Sequence, residues 1–271
     1  MIFGISTSAM GTEKNPKRFE EFCIRAKEAR FEEIEVILEG PIFHHSCMSN
    51  EVIKIIKEQI IGENLKLRFH APFYSINLAS FDIEFRKLAI KEIKNSLQLA
   101  NKLGAYALIF HPGLCFLPCK LDKHQALKIL NRSLGILLKL ASEYDILLLI
   151  ENRGSEFDII TEPKDLITLF ENQNYPSNLR INFDVVQAQL IMPPHEYYNE
   201  ISDLVFSAHI RDSPRDRDDL LPVGSGDINW HQLIRSFKRK NFLGPFIMEV
   251  GNFKNALLSK EIFEKIMKSD D

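Results

Sequence analysis

Short apolar runs alternate with longer amphipathic stretches along the whole chain. The runs predict strands at 2–7, 33–39, 66–70, 106–111, 146–151, 180–184, 205–210 and 245–250. Near-continuous apolar residues, as from Ile146 to Ile150, suit strands buried on both faces, as in a parallel sheet. Between the runs the spacing predicts helices over 16–29, 50–60, 84–103, 123–144, 163–173, 195–203, 229–241 and 256–268. Within 84–103, Phe85, Leu88, Ile93, Leu97 and Leu99 fall at intervals that put them on one apolar face. Eight strands alternating with eight helices leave a closed barrel or a doubly wound sheet. No Gly-x-Gly-x-x-Gly follows the first run, which weakens the nucleotide-binding sheet. No linker-like stretch or shift in composition divides the chain. The expected fold is therefore α/β, a single (β/α)₈ barrel over residues 1–271.

Composition narrows the function classes. The chain has 271 residues, near the roughly 250 typical of such a barrel. Hydrophobic residues at 45% are enough for a large core, and a net charge of -3 gives no sign of a polyanion-binding surface. No apolar run reaches the roughly 18 residues of a membrane helix, and the first residues start directly on a strand-like pattern without a basic region. A cytoplasmic protein without membrane contact is expected. Cys23, Cys47, Cys115 and Cys119 lack the repeated tight spacing of a zinc cluster and read as reduced thiols with packing roles.

The chemistry lies where the apolar runs stop. His70 closes KLRF, His111 closes YALIF, Glu151 closes ILLLI, Asp184 closes RINF, His209 nearly closes VFSA, and Glu249 closes PFIM. Each is one strand-plus-helix unit from the next. In a barrel the C-terminal strand ends open onto one face, so six distant residues converge on one pocket. Three imidazoles and three carboxylates form a ligand set for zinc, manganese or cobalt. Crowded carboxylates without a cation raise one another's pKa, a conflict that a divalent ion removes.

At these residues the chain resembles the xylose-isomerase-like barrel superfamily, which holds sugar isomerases and epimerases and the endonuclease IV family. The resemblance rests on FHAPFYSINLAS (69–80), IFHPG (109–113), IEN (150–152), NFD (182–184), HIRDS (209–213), LPVGSGDINW (221–230) and IMEV (247–250), in order along nearly the whole chain. It implies a metal site of Glu151, Asp184, His209 and Glu249, with His70 and His111 joining Glu151 around a second ion. One or two ions are thus expected, zinc or manganese foremost, with cobalt or magnesium as alternatives. Two positions depart from the endonuclease branch. Where that branch has a His three residues after the strand-six Asp, this chain has Gln187, and its Asp-x-His reads Asp218-Asp219-Leu220. Leucine cannot bind a metal and glutamine suits zinc poorly, so a complete three-zinc centre is not expected.

The resemblance implies a metal-dependent isomerase or epimerase acting on a sugar or sugar phosphate through an enediolate. Glu151 and Glu249 would serve as general base and acid. Gln187, Arg211 and Arg215 are the candidate substrate contacts, the two arginines for phosphate or hydroxyl groups. Hydrolysis at abasic DNA sites is the alternative, and only it requires a nucleic-acid partner. A barrel that has lost catalysis is a third reading. An ion pair of Arg211 with Asp212 or Asp216 is the bland counterpart of its substrate role. His44-His45 reads as a solvated loop pair near the mouth, and Glu35 and Glu39 as substrate contacts or structural hydrogen-bonding groups. Gly224-Ser225-Gly226 reads as a turn with Asp227 or Asn229 capping the next helix, and Lys238-Arg239-Lys240 as a solvated helix end.

Overall fold

Eight parallel strands close on themselves in the computed structural model, which describes residues 1–12, 15–74, 76–115 and 122–269. The strands are β1 (Phe3–Ser6), β2 (Glu33–Ile37), β3 (Lys66–His70), β4 (Ala107–Phe110), β5 (Leu147–Glu151), β6 (Leu179–Asp184), β7 (Val205–Ile210) and β8 (Phe246–Met248). Each pairs with its neighbours in sequence order, and β8 returns to β1. The principal helices are α1 (Pro16–Glu28), α2 (Gly40–Phe43), α3 (Asn50–Gly62), α4 (Ile83–Leu103), α5 (Lys123–Glu143), α6 (Pro163–Asn172), α7 (Val185–Gln189), α8 (Pro194–Ile201), α9 (Trp230–Arg239) and α10 (Phe253–Ser269). The predicted strands and long helices all occur, with ends that move by up to three residues. Two short helices after β2 and β6, α2 and α7, have too few residues to leave a periodic signal.

Side-chain alternation explains how the barrel is filled. Along β2, Ile34 and Val36 join the core between strands and helices, whereas Glu33 and Glu35 face inward. A small apolar cluster of Ala107, Ile109 and Leu149 plugs the interior. Below it, Arg68, Glu33 and Tyr106 form a buried polar network, with the Tyr106 hydroxyl donating to Glu33 over 2.7 Å. Above it the interior becomes the charged floor of the mouth.

Local signals start the helices. Asn15, Ser49, Asp82, Asp122 and Asn229 each accept a backbone N–H in the first turn of the helix they precede. The expected cap on α9 is thus Asn229; Asp227 instead accepts from the Arg215 amide. On α4 the buried stripe runs through Ala89, Ile93, Leu97, Ala100 and Leu103, together with Leu99. Phe85 and Leu88, expected on that face, are 68% and 48% exposed. Cys23, Cys47 and Cys115 are free thiols; Cys23 and Cys115 are buried as a packing role requires, and burial pushes the Cys23 thiol up, whereas Cys47 is exposed and does not pack as expected. Cys119 lies outside the described residues. Among the described residues no helix is long and apolar enough to cross a membrane.

Candidate metal and active site

All six strand-end residues meet at the C-terminal mouth. His209 is the hub. Its Nδ1 lies 3.1 Å from Glu151 Oε2, 3.4 Å from Glu249 Oε2 and 3.9 Å from Asp184 Oδ2. Its Nε2 faces Glu35 Oε2 at 3.0 Å. Glu151 bridges to the remaining pair, with Oε2 3.5 Å from His70 Nε2 and Oε1 3.3 Å from His111 Nε2. The His70 and His111 rings cross edge-on with centroids 5.0 Å apart. His111 and Glu249 stand one residue beyond the last residue of β4 and β8 respectively, which puts them at the rim of the cavity.

The motif residues between these ligands brace them. Asn152 and Asp184 exchange hydrogen bonds, the Asp184 amide donating over 2.8 Å and the Asn152 amide group donating to the Asp184 carbonyl over 3.0 Å. Ser207 donates to Asn182 over 2.6 Å, and Asn182 in turn donates to Glu151 Oε2 over 3.3 Å. Such outer contacts fix the orientation of groups that bind a metal. Gly113, at φ +123, lets the chain turn away after His111, since a Cβ there would stand 2.5 Å from Asn77 Oδ1.

Burial and mutual charge set the protonation of the site. Burial alone would raise Glu151, but His111 and His209 beside it hold the carboxyl well below the usual range. Burial and the neighbouring Arg153 push His111 down to about 3, so its help to Glu151 is that of a neutral hydrogen-bond donor. Burial opposes a charge on His209, but Glu249, Glu35 and Glu151 raise it well above an ordinary histidine. Burial, with the charges of Glu151 and Asp184 assisting, pushes Glu249 up to about 7 despite the opposing pull of His209 and Arg211.

These residues fit a divalent cation. The buried His209 Nδ1 makes no well-formed hydrogen bond among the described residues, yet carboxylate oxygens of Glu151, Asp184 and Glu249 surround it. Its other nitrogen is held by Glu35, the carboxylate–histidine arrangement that presents an imidazole lone pair to a metal. His70 is prepared in the same way, its Nδ1 2.9 Å from the Ala71 carbonyl and its Nε2 turned to Glu151. Each of the sets Glu151–Asp184–His209, Glu35–His209–Glu249 and His70–His111–Glu151 offers ligand atoms within 4.8 Å of one another.

The proposed substrate contacts divide. Arg211 is buried and pairs with Asp184 Oδ2 at 2.9 Å, with Glu249 Oε2 at 3.2 Å, and with Asp218. Neither Asp212 nor Asp216 is its partner in these pairs. Arg215 is exposed and lines a separate cleft with Gln189 and Pro193, away from the mouth cavity. Gln187 is buried and its side chain is used up: Oε1 accepts from the Gly154 amide at 2.9 Å and Nε2 donates to Asp218 at 2.6 Å. At the two departures from the endonuclease pattern, then, a hydrogen bond joins Gln187 to Asp218, and Leu220 turns to the cavity.

The cavity holds about 570 Å³ and is lined by His70, His111, Glu151 and Glu249 with Ile37, Phe73, Tyr74, Arg153 and Leu220 among others, while Asp184 and His209 are fully buried. That volume suits a small metabolite. Arg153, which sequence reasoning did not single out, donates to Glu151 Oε1 over 2.8 Å; its place two residues beyond Glu151 was the one available cue. Glu39 lines the rim and accepts from the Phe73 and Tyr74 amides at 2.7 and 3.1 Å. A larger cavity of about 790 Å³ opens at the opposite end, around Glu33, Tyr106 and Phe242, and includes Lys240. It contains none of the six residues, and the basic run 238–240 belongs to that end.

Comparison with known proteins bears on this arrangement. A family model described as xylose isomerase-like TIM barrel matches residues 23–268. Over 275 residues the chain is 25% identical to the uncharacterized protein MJ1311 of Methanocaldococcus jannaschii, covering 99% of this chain and 90% of that protein. Among solved structures it resembles a D-tagatose 3-epimerase-like protein, with TM-score 0.88 and 24% identity over 100% of this chain and 98% of the other. It also resembles an L-ribulose 3-epimerase, with TM-score 0.84 and 11% identity over 100% and 96% of the two chains. At these identities the likeness to the solved structures establishes a shared fold.

Proposed function

The chain belongs to the xylose isomerase-like TIM barrel family, and we propose that it is a cytoplasmic, divalent-metal-dependent isomerase or epimerase acting on a sugar. The observation that carries this reading is His209 Nδ1, buried without a well-formed hydrogen bond and ringed by three carboxylates, two of which, Glu151 and Glu249, also line a metabolite-sized cavity. The names of the solved structures of like fold, a D-tagatose 3-epimerase-like protein and an L-ribulose 3-epimerase, support the substrate class. Both guanidinium groups in the cavity, Arg153 and Arg211, already pair with carboxylates, which favours an unphosphorylated sugar over its phosphate.

Glu151, Asp184, His209 and Glu249 would hold the ion, with His70, His111 and Glu151 able to hold a second. When bound, it supplies Lewis-acid charge for the oxygens beside the reacting carbon. Glu151, kept ionised, is suited to take the proton from the carbon next to the carbonyl, leaving an enediolate. Glu249, which releases its own proton when the ion enters, is suited to relay one from a substrate hydroxyl or water to the opposite face. Glu151 then ends protonated and Glu249 ionised, and reversal uses the same two groups in exchanged roles. Arg211 balances the carboxylates, and Phe73 and Tyr74 line the cavity above them.

The test loads purified protein with manganese, cobalt or zinc and incubates it with ketoses and their phosphates in D₂O. The expected result is deuterium incorporation beside the carbonyl, lost on chelation and reduced by about 10²-fold or more in Glu151→Gln and in Glu249→Gln. No exchange on any sugar by fully loaded protein defeats the proposal. Nicking of a duplex with one abasic site, abolished by chelation and by Glu151→Gln, would assign the site to phosphodiester hydrolysis instead.

A further inference from the structure

The loop between β2 and α3 carries adjacent histidines, and α4 packs beside it. His45 Nε2 lies 2.7 Å and His44 Nε2 3.4 Å from the same oxygen, Oε2 of Glu92 on α4. The two rings are 4.3 Å apart and inclined by only 34°, so both nitrogens aim at one point. The side chains are 23%, 10% and 20% exposed for His44, His45 and Glu92, half-sheltered but open to an entering ion. His44 Nδ1 accepts from the Ser46 amide at 3.3 Å and lies 2.7 Å from Ser46 Oγ, which fixes the ring and leaves Nε2 facing Glu92, where an ion can replace its proton.

We propose that His44, His45 and Glu92 form a separate divalent-cation site that clasps the β2–α3 loop to α4. The donor set, two imidazoles and a carboxylate without a thiolate, suits zinc and its neighbours cobalt and nickel. Bonds of 2.0–2.2 Å in a tetrahedron put ligand atoms about 3.3 Å apart, so His44 already sits at that spacing and His45 must withdraw slightly. The three ligand atoms lie within 4.8 Å of one another, and water completes the fourth position.

Location gives the site a consequence. The same loop starts at Glu39, whose carboxylate holds the Phe73 and Tyr74 amides at the rim of the mouth. The loop between β3 and α4 is therefore tied to the β2–α3 loop on its inner side by Glu39. An ion between His44, His45 and Glu92 would tie the β2–α3 loop to α4 on the outer side. The clasp does not depend on sugar chemistry at the barrel centre.

Zinc alone is the probe. Equilibrium dialysis of the full chain, with metal analysis, is compared among wild type, the His44→Ala/His45→Ala double variant, Glu92→Gln and Glu151→Gln. The clasp variants are expected to bind one ion fewer per chain than wild type, whereas Glu151→Gln retains that ion. Unchanged stoichiometry in the clasp variants overturns the proposal, and loss of zinc only in Glu151→Gln assigns all binding to the barrel centre. A measurement on unaltered protein covers the case of a variant that does not fold. Carbethoxylation of His44 and His45, followed by mass spectrometry of their peptide, should fall at least tenfold on addition of zinc. Equal modification with and without zinc would refute the site.

Discussion

Asp212 is fully buried and accepts hydrogen bonds from the amides of Ser213, Gly224 and Ile228 at 2.9, 2.8 and 3.4 Å, and from the Trp230 indole at 2.8 Å. One carboxylate thus folds the 211–230 loop back on itself, and this loop delivers Asp218 and Leu220 to the cavity. Gly226 makes room for it, since a Cβ there would stand 2.3 Å from Asp212 Oδ1. Asp212→Ala strands these donors in a buried place and is expected to cost about 3 kcal/mol or more. Urea unfolding checks this, and a loss below about 1 kcal/mol would mean that water replaces the carboxylate at no cost. The six strand-end ligands could be read from the sequence because each one interrupts an apolar run at the point where a barrel strand must end. Asp212 could not. Its partners lie up to 18 residues away, and nothing local distinguishes it from an exposed acid beside Arg211. Gln187 was similarly opaque: its position in the resembled family suggested a substrate contact, whereas Gly154 and Asp218 occupy both ends of its amide.

Among the elements, α4 shows where periodicity stops being sufficient. Its apolar residues were read as one face, but the spacing from Phe85 to Leu88 to Ile93 wraps further round the helix than the stripe that meets the barrel. The first turns begin at the mouth end of the helix, and burial starts only at Ala89, where neighbouring elements close over the helix. Phe85→Ala is expected to change stability by no more than about 0.5 kcal/mol, as at other exposed sites. Leu97→Ala, at a position with no exposure, should cost about 2–5 kcal/mol. Both follow from denaturant midpoints at unchanged slope, and equal losses at the two positions would show that the start of α4 is covered in solution. The strands were more legible than this helix, because a parallel barrel buries both strand faces and leaves an apolar run that needs no phase.

At the scale of the whole molecule, the barrel centre is an electrostatic problem that the fold alone does not resolve. Glu35, Glu151, Asp184 and Glu249 converge in a buried core, and His209, Arg211 and Arg153 offer charge in return. Without an ion, burial keeps a proton on Glu249 up to about pH 7. A carboxyl raised in the folded state favours folding most at acid pH, and that contribution disappears as pH rises through about 7. An entering cation must displace the same proton, so its affinity changes in the opposite sense, weakening by up to about tenfold per pH unit below 7 for the Glu249 proton, with the proton displaced from His209 Nδ1 adding to the dependence. Metal-free protein should therefore lose stability between pH 6 and pH 8, while the gain from manganese or zinc grows over that interval. At a free ion concentration 100 times the Kd the gain is about 2.7 kcal/mol. Thermal unfolding at both pH values, with and without ion and with chelator added back, measures both trends. Glu249→Gln should reduce the pH dependence of the metal gain to the part that His209 contributes, because its amide neither holds nor releases that proton. A metal gain of equal size at pH 6 and pH 8 in the unaltered chain would mean that Glu249 does not face the ion, and the cation would then have to be assigned to His70, His111 and Glu151.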